Sequence, residues 1–482
     1  MADVHEASVP IEKSPAIERR SIHFVPLATR HGKAHDLFTL WFASNAQVTG
    51  VVTGALAVIF GLSLPWALLA VLIGNVVGTV FMALHSAQGP KLGIPQMIQS
   101  RAQFGYYGAI IPLVLVILMY VGFFSTGNIL GAEALTNMTG MGLSPAIVIV
   151  GAACLVLGIV GYRLIHASAK WISLFVALGF VYLTVQLLLN HSLGSVWHAS
   201  GFHAGTFVLG ITVVATYEIT FAPYVADYSR YLPQETSIKS CFWYTYAGSV
   251  IGNLWMNVFG CIAAAVAIKS FDSTSIGFVV KQASAAHWLF DLIIIFGIVI
   301  IGVLNLYSAF MSSVTTLSAI WKRHRIQVRT RALYMIFWAA VGTALAVAGR
   351  GSFLTKYFDF ILFLSYFIVP WTAVNLMDFY VIRKQVYNIT AVFDPDGVYG
   401  KWRWQALVAY LVSVGAEIPF MNTTFYKGPV VNMLGGADIS WIIGVIVGGL
   451  LYLALVRFSP LPEALSVSPV LETAGEVDTV HV

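Results

Sequence analysis

Apolar residues in this chain come in long unbroken blocks, not with a period of 2 or 3.6, and no other feature constrains the backbone as much. The run from Leu113 to Phe124, extended on both sides, is one of them. A helix of roughly 20 apolar residues spans the ~30 Å hydrocarbon core of a bilayer. No water is available there, so each N–H and C=O must be satisfied within its own segment and each block reads as a membrane-spanning helix. Charged residues make up 10% of the chain and hydrophobic ones 58%. That is too little charge to cover a soluble surface of this size. One helical bundle is expected in place of several soluble domains.

Twelve spans are expected, at 38–61, 64–88, 108–132, 143–163, 170–190, 205–226, 242–268, 288–317, 333–349, 357–383, 404–423 and 439–458. Residues 1–37 are polar, lack the apolar centre of a signal peptide and read as a cytosolic N-terminal tail. Residues 459–482, with Glu463, Glu472, Glu476 and Asp478, read as a cytosolic C-terminal tail. With the N-terminus inside, Arg19, Arg20, Lys91, Arg101, Lys170, Arg230, Lys322, Arg323, Arg325, Arg383 and Lys384 all fall on the cytosolic side. Of the 26 basic residues, only Lys269, Lys281, Arg350, Lys356 and Lys427 fall opposite. That bias places both termini in the cytosol of a multi-pass protein of the cell (inner) membrane. The net charge of +5 belongs to these loops and does not point to nucleic acid. Cys154, Cys241 and Cys261 have neither disulfide nor metal-ligand spacing. Hydropathy permits two five-helix blocks, 38–190 and 205–383, followed by two helices in 404–458. Five is odd, so the second block would be inverted, as in transporters that bind substrate at the bilayer midplane.

The first span of each block is interrupted. Span 1 carries Ser44, Asn45, Gln47, Thr49, Gly50, Thr53 and Gly54. Span 6 carries Thr216, Tyr217, Glu218, Thr220, Phe221 and Pro223. Polar side chains and helix breakers are tolerated at that depth where the freed backbone lines a cavity; the plainer reading is close packing through small residues and a proline kink. The matching positions in two blocks favour a site. A carboxylate such as Glu218 costs roughly 2.5–3.5 kcal/mol at mid-membrane on insertion scales. It is therefore a candidate proton carrier or ring N–H acceptor, or else a neutral group bonded between helices. Glu133 and Glu417 read as structural or interfacial, Asp227 with Arg230 as a gate or structural pair, and Asp378 near Arg383 and Lys384 as an interfacial anchor. Tyr120, Phe123, Phe124 and Gly127 share one side of span 3, where an aromatic stripe is ordinarily core but could stack a flat ring against Phe221. Asn305, Ser308 and Ser312 share a face of span 8, with Ser313, Thr315 and Thr316 adjacent. They could orient a heterocycle or a cation, or bond their own helix carbonyls.

Two segments carry a resemblance. Gly89-Pro-Lys-Leu-Gly-Ile-Pro-Gln-Met97 with Ser100-Arg-Ala-Gln-Phe-Gly105, and Ala222-Pro-Tyr-Val-Ala-Asp-Tyr-Ser-Arg-Tyr-Leu-Pro233, resemble nucleobase–cation symporters of the purine–cytosine permease branch. Asn305-Leu-Tyr-Ser308, and Pro370-Trp371 with Asp378, fit as well. The resemblance implies a LeuT-type fold, a 5+5 inverted repeat plus two C-terminal helices. It implies uptake of a purine- or cytosine-type ring with H+ or Na+. Phe123 and Phe221 would be the stacking pair and Tyr120 a polar reader. The chain departs from the pattern at Ile301 and Gly302, where nucleobase carriers often have Asn, and at Ile300 and Ile301, where sodium-coupled relatives tend to have Thr.

The reading is a secondary active symporter working by alternating access, not an enzyme. Its substrate-binding residues would be Asn45, Gln47, Tyr120, Phe123, Tyr217, Glu218, Phe221 and Asn305. Glu218, Ser308 and Ser312 would couple the cation, and Asp227 and Arg230 would gate. No cofactor or metal is expected: His85, His166 and His287 are scattered, and His191, His198 and His203 are loosely spaced in one loop. The partners are a small heterocycle and the lipid bilayer, and the oligomeric state is open, a monomer included. The alternatives are a symporter of another small N-heterocycle (allantoin, hydantoin, a vitamin-type pyrimidine or pyridine) and a passive facilitator, which would need a continuous polar lining.

Overall fold

The computed structural model describes residues 24–160, 162–199, 201–320 and 328–462. Arg19, Arg20, Lys322, Arg323, Arg325 and the acidic residues of the C-terminal tail lie outside the described residues, as do the side chains of His166 and Lys170. The described chain is all-helical apart from one isolated bridge, Asn422 to Lys427. In chain order the helices are α1 (Asp36–Asn45), α2 (Val48–Ile59), α3 (Leu64–Ser86), α4 (Gln88–Leu92), α5 (Gln96–Phe104), α6 (Ile110–Thr139), α7 (Leu143–Val160), α8 (Tyr162–Asn190) and α9 (Ala204–Ile219). Then follow α10 (Val225–Ser229), α11 (Ile238–Ser273), α12 (Ser275–Lys281), α13 (His287–Ile320), α14 (Val328–Gly349), α15 (Phe353–Leu376), α16 (Trp404–Glu417), α17 (Pro429–Met433) and α18 (Ser440–Phe458).

A helix or a broken pair of helices lies at every expected span. Among the described residues eight segments are able, by length and apolar composition, to cross a membrane, or nine if α1 and α2, bent by 58° at their junction, form one crossing. One of the eight, Thr330–Ile382, is 53 residues long and takes in most of α14 and all of α15. The helices at 143–160 and 404–417 are shorter apolar ones. α16 stops at Glu417, six residues before the expected end, because Pro419 lies in a 3-10 turn that closes it. Pro370 is inside α15, which passes at Met377–Ile382 into a π-helical turn.

Glycine sets the closest approaches. A Cβ on Gly54 of α2 would stand 2.2 Å from the Asn257 carbonyl of α11, and one on Gly260 of α11 would stand 1.9 Å from the Val51 carbonyl of α2. A Cβ on Gly78 of α3 would stand 2.4 Å from the Ala215 carbonyl of α9. Backbones meet directly there, as is usual where small residues drive helix packing in lipid. The result is a tight group of α1, α2, α3, α9 and α11; α6, α7, α13 and α14 pack together beside it, and α15, α16 and α18 form a third layer.

Candidate functional site

Two helix breaks define the middle of the molecule. α1 ends at Asn45, Ala46 turns with ψ 63°, and Gln47 is extended at φ −135° and ψ 161° before α2 begins. α9 ends at Ile219 and Pro223 sits in the 3-10 turn Ala222–Tyr224; Tyr224, at φ −135° and ψ 8°, leads into α10. Helix ends leave N–H and C=O groups without intrahelical partners, and both breaks present such groups.

Aromatic rings fill the space between the breaks and α6. Phe221 lies edge-on to Trp41 (centroids 6.1 Å apart), Tyr217 (5.4 Å) and Tyr224 (5.6 Å). Phe123 lies edge-on to Tyr217 (6.4 Å) and to Phe360 of α15 (5.2 Å). Tyr120 is tilted against Tyr224 at 6.0 Å and hydrogen-bonds with Ser308 of α13. Phe123 and Phe221 therefore meet through Tyr217, which bridges them. The Tyr217 hydroxyl is 3.0 Å from Thr49 Oγ1, and Tyr357 reaches Thr53 Oγ1 at 2.8 Å, so hydroxyls ring the apolar centre. Gln47 is half-buried at the break, and Asn305 is half-buried on α13. Trp41, Thr49, Tyr224 and Phe360 belong to this chamber without having been expected there.

Asn45 and Glu218 lie elsewhere. Both are fully buried and turn toward α11. Ser249 Oγ donates to Glu218 Oε2 (2.7 Å) and accepts from Asn45 Nδ2 (2.8 Å), which also donates to the Trp41 carbonyl (3.0 Å). Thr79 of α3 and Asn253 of α11 face the same carboxyl. Glu218 Oε1, Asn45 Oδ1 and both amide atoms of Asn253 are buried without a hydrogen-bond partner. Of the α13 hydroxyls, Ser313 bonds the Ala309 carbonyl and accepts from Trp338, while Thr315 and Thr316 bond carbonyls of their own helix. Ser308 and Ser312 are half-buried on the same helix.

The two resembling segments lock together at one end of the site. Asp227 Oδ1 accepts the Gln96 N–H at the start of α5 (2.7 Å), and Gln96 Oε1 accepts the Ala226 N–H at the start of α10 (3.2 Å). Gln96 also donates to Gln88 (2.7 Å), and Gln88 to Asn375 of α15 (2.6 Å). Ser229 donates to the Ser86 carbonyl (2.7 Å), and Arg230, 4% exposed, reaches the Tyr231 hydroxyl (3.1 Å). The segment before α1 straps this end: Arg30 donates to the Pro90 carbonyl (2.5 Å) and the Val25 N–H to Gly93 (2.9 Å). Burial pushes the Arg30 guanidinium down to about 10, against the pull of Glu235.

The remaining acids are accounted for separately. Glu133 accepts the Ile276 N–H (3.0 Å) at the start of α12. Asp378 pairs with Arg383 (3.2 Å), whereas Lys384 is exposed at a positive-φ bend. Glu417 is fully buried with neither oxygen bonded. Among the described residues no group of three or more His, Cys, Asp or Glu is placed to hold a metal ion.

A family described as permeases for cytosine/purines, uracil, thiamine and allantoin matches residues 24–444. The putative purine-cytosine permease YxlA of Bacillus subtilis is 42% identical over 444 residues, covering 92% of this chain and 96% of that one. The inward-facing structure of Mhp1 superposes with a TM-score of 0.74 at 20% identity, over 95% of this chain and 98% of that one. Mhp1 in a closed conformation with bromovinylhydantoin bound, a nucleobase-cation-symport-1 family transporter, gives 0.70 at 18% identity, over 93% and 97%. At these identities the Mhp1 likeness speaks for the fold, which is of the LeuT type.

Proposed function

This chain belongs to the family of permeases for cytosine/purines, uracil, thiamine and allantoin, and we propose that it is a symporter importing a purine- or cytosine-type ring with H+ or Na+ by alternating access. The family is one of membrane transporters, not of enzymes. The observation that carries the substrate reading is the convergence of Trp41, Tyr120, Phe123, Tyr217, Phe221 and Tyr224 on two helix breaks. A flat heterocycle gains offset or edge contacts from such rings. Free backbone groups at the breaks, with Gln47, Thr49 and Asn305, would read its edge. Phe123 and Phe221 hold the faces and Tyr217 moves with the ring.

The chain crosses the cell membrane twelve times, with blocks 38–190 and 205–383 as inverted halves and both termini cytosolic. The α4–α5 lock, with Asp227 and Arg230, is then the inner gate. Ser308 and Ser312 on α13 and Glu218 on α9 are the candidates for cation coupling. Another ring of the family's range, such as allantoin, a hydantoin or thiamine's pyrimidine, remains the second reading, because Ile301 and Gly302 stand where nucleobase carriers often have Asn.

The test is a thermal-shift screen of purified protein against cytosine, adenine, hypoxanthine, uracil, allantoin, hydantoins and vitamin-type rings, with and without Na+ and at two pH values. A ligand at about 100 times its Kd stabilises the native state by roughly 2.7 kcal/mol. A shift with cytosine or a purine supports the proposal. A shift with allantoin or a hydantoin alone moves the substrate class. No shift with any ring overturns the substrate reading.

A further inference from the structure

We infer that Glu218 is a proton-binding site built into the interface of α1, α3, α9 and α11, separate from the ring chamber, and that Asn253 is the side chain that serves both of its protonation states. This rests on the symport reading for its role and on the geometry alone for its place.

The hydrogen-bond directions are fixed from one end. Asn45 Nδ2 donates to Ser249 Oγ, so the single proton of Ser249 is committed to Glu218 Oε2. The Thr79 hydroxyl is committed to the Asn75 carbonyl (2.7 Å). Asn253 faces the same carboxyl, and Glu218 Oε1, Asn253 Oδ1 and Asn253 Nδ2 are buried outside hydrogen-bond geometry. A proton on Oε1 donates to Asn253 Oδ1 and satisfies two of these atoms at once. When the proton leaves, the Asn253 amide turns over and Nδ2 donates to the carboxylate. An amide is the side chain that can do both, because it carries a donor and an acceptor at equal reach.

The hydrogen-bonding groups around the carboxyl, Ser249, Thr79 and Asn253, are all neutral. The titratable groups facing it are Tyr217 and Tyr224 from its own segment and Tyr246 from α11. α1 contributes Trp41 and Asn45, and α3 contributes Asn75 and Thr79. No cationic side chain among the described residues acts on it. An isolated buried charge is expensive, and a proton removes it.

The site touches the chamber through the chain itself. Tyr217, one residue earlier, bridges Phe123 and Phe221 and bonds Thr49, and Asn45 is the last residue before the α1 break. A ring that displaces Tyr217 therefore moves Glu218 relative to Ser249 and Asn253. The step balances as one proton taken by Glu218 Oε1 from the outer water and given up to the inner water, with one ring carried per cycle.

The test begins without any substrate. Infrared difference spectra of the full chain between acid and alkaline pH are expected to show a protonated-carboxyl C=O band that is lost in Glu218→Gln and retained in Glu417→Gln. A band unchanged in Glu218→Gln overturns the site. In proteoliposomes an inward proton gradient is expected to drive accumulation of the ring by the wild type. In Glu218→Gln the accumulation ratio should fall to about 1 while ring exchange at equal concentrations persists, which excludes misfolding as the cause. Asn253→Asp, which adds a second carboxyl, is expected to shift the pH profile of uptake. Accumulation that follows a Na+ gradient with no proton gradient, or that survives in Glu218→Gln, overturns the coupling role. A Glu218 band in a protein that binds no ring keeps the proton site and discards the transport reading.

Discussion

Two carboxyls, each shielded from water, are treated in opposite ways. Asp378, on the π-helical turn after α15, is surrounded: Arg383 (3.2 Å), the Tyr387 hydroxyl (2.6 Å) and Gln103 (3.3 Å) reach Oδ2, and the Tyr452 hydroxyl (2.9 Å) reaches Oδ1. Those partners come from α5, α18 and the segment following the turn, so one carboxylate ties four parts of the chain together. Glu218 has one hydrogen bond to Oε2 and an unpaired Oε1 beside an unpaired amide. Full pairing makes a fastener. Half pairing between helices that bracket a break leaves room for a change of state.

The comparison predicts different sensitivities, and the first is the largest. Asp378→Asn leaves the Arg383 guanidinium buried without its counter-charge. Breaking a buried pair on one side costs about 3–5 kcal/mol. The variant should unfold in detergent at a much lower temperature, and an unchanged Tm would mean that the tyrosines alone hold the turn. Next comes Ser249→Ala, which removes one of the two acceptors of the Asn45 amide and strands Glu218 Oε2. A buried group that loses its partner costs about 1–3 kcal/mol. A Tm equal to that of the wild type would show that the Asn45–Ser249–Glu218 chain is not needed for the fold.

Much of this contrast could be read in the sequence, but not all. Glu218 stands out as a lone carboxylate in an apolar run, and the break at Asn45–Gln47 is marked by consecutive polar residues. The direction in which Asn45 points is a property of the packed helix: its place at the break is visible in the sequence and its rotamer is not. Ser249 and Asn253 went unnoticed because single polar residues are common in such helices. The signal is in Ser249, Asn253 and Asn257, spaced four apart on one face of the apolar middle of α11. Asp378 is visibly near Arg383, five residues away, while Gln103 and Tyr452 are distant in sequence and are brought to it only by the fold. The rings of Trp41 and Tyr224 look like ordinary core until two breaks bring them to Phe221.

Glu417 sharpens the contrast from the other side. It is buried on α16 with neither oxygen bonded, and Oε1 fills the notch left by Gly444 of α18. An unbonded buried polar group costs on the order of 1 kcal/mol or more. Glu417→Met keeps the volume and removes that cost. The variant should be more stable by about that amount, read as a higher Tm, with proton-driven uptake retained. Loss of uptake would make Glu417 a second working carboxyl and end the uniqueness of Glu218.

The smallest effect is expected at Asn257. Its amide is fully buried and both polar atoms lack a partner, as at Asn253 one turn earlier. Its backbone, however, is fixed by Gly54 of α2, whose missing Cβ allows the two helices to touch. The contact therefore holds the interface without help from the side chain. Asn257→Leu removes an unpaired amide and replaces it with a branched apolar group of similar size, so relief and repacking oppose each other. Repacking around the added methyls costs on the order of 1 kcal/mol, and relief of the buried amide is of the same order. Tm should move little and proton-driven uptake should persist, because Asn257 does not face Glu218. A loss as large as that of Asp378→Asn would reveal an essential partner for the amide. A loss of coupling alone would extend the proton site one further turn along α11.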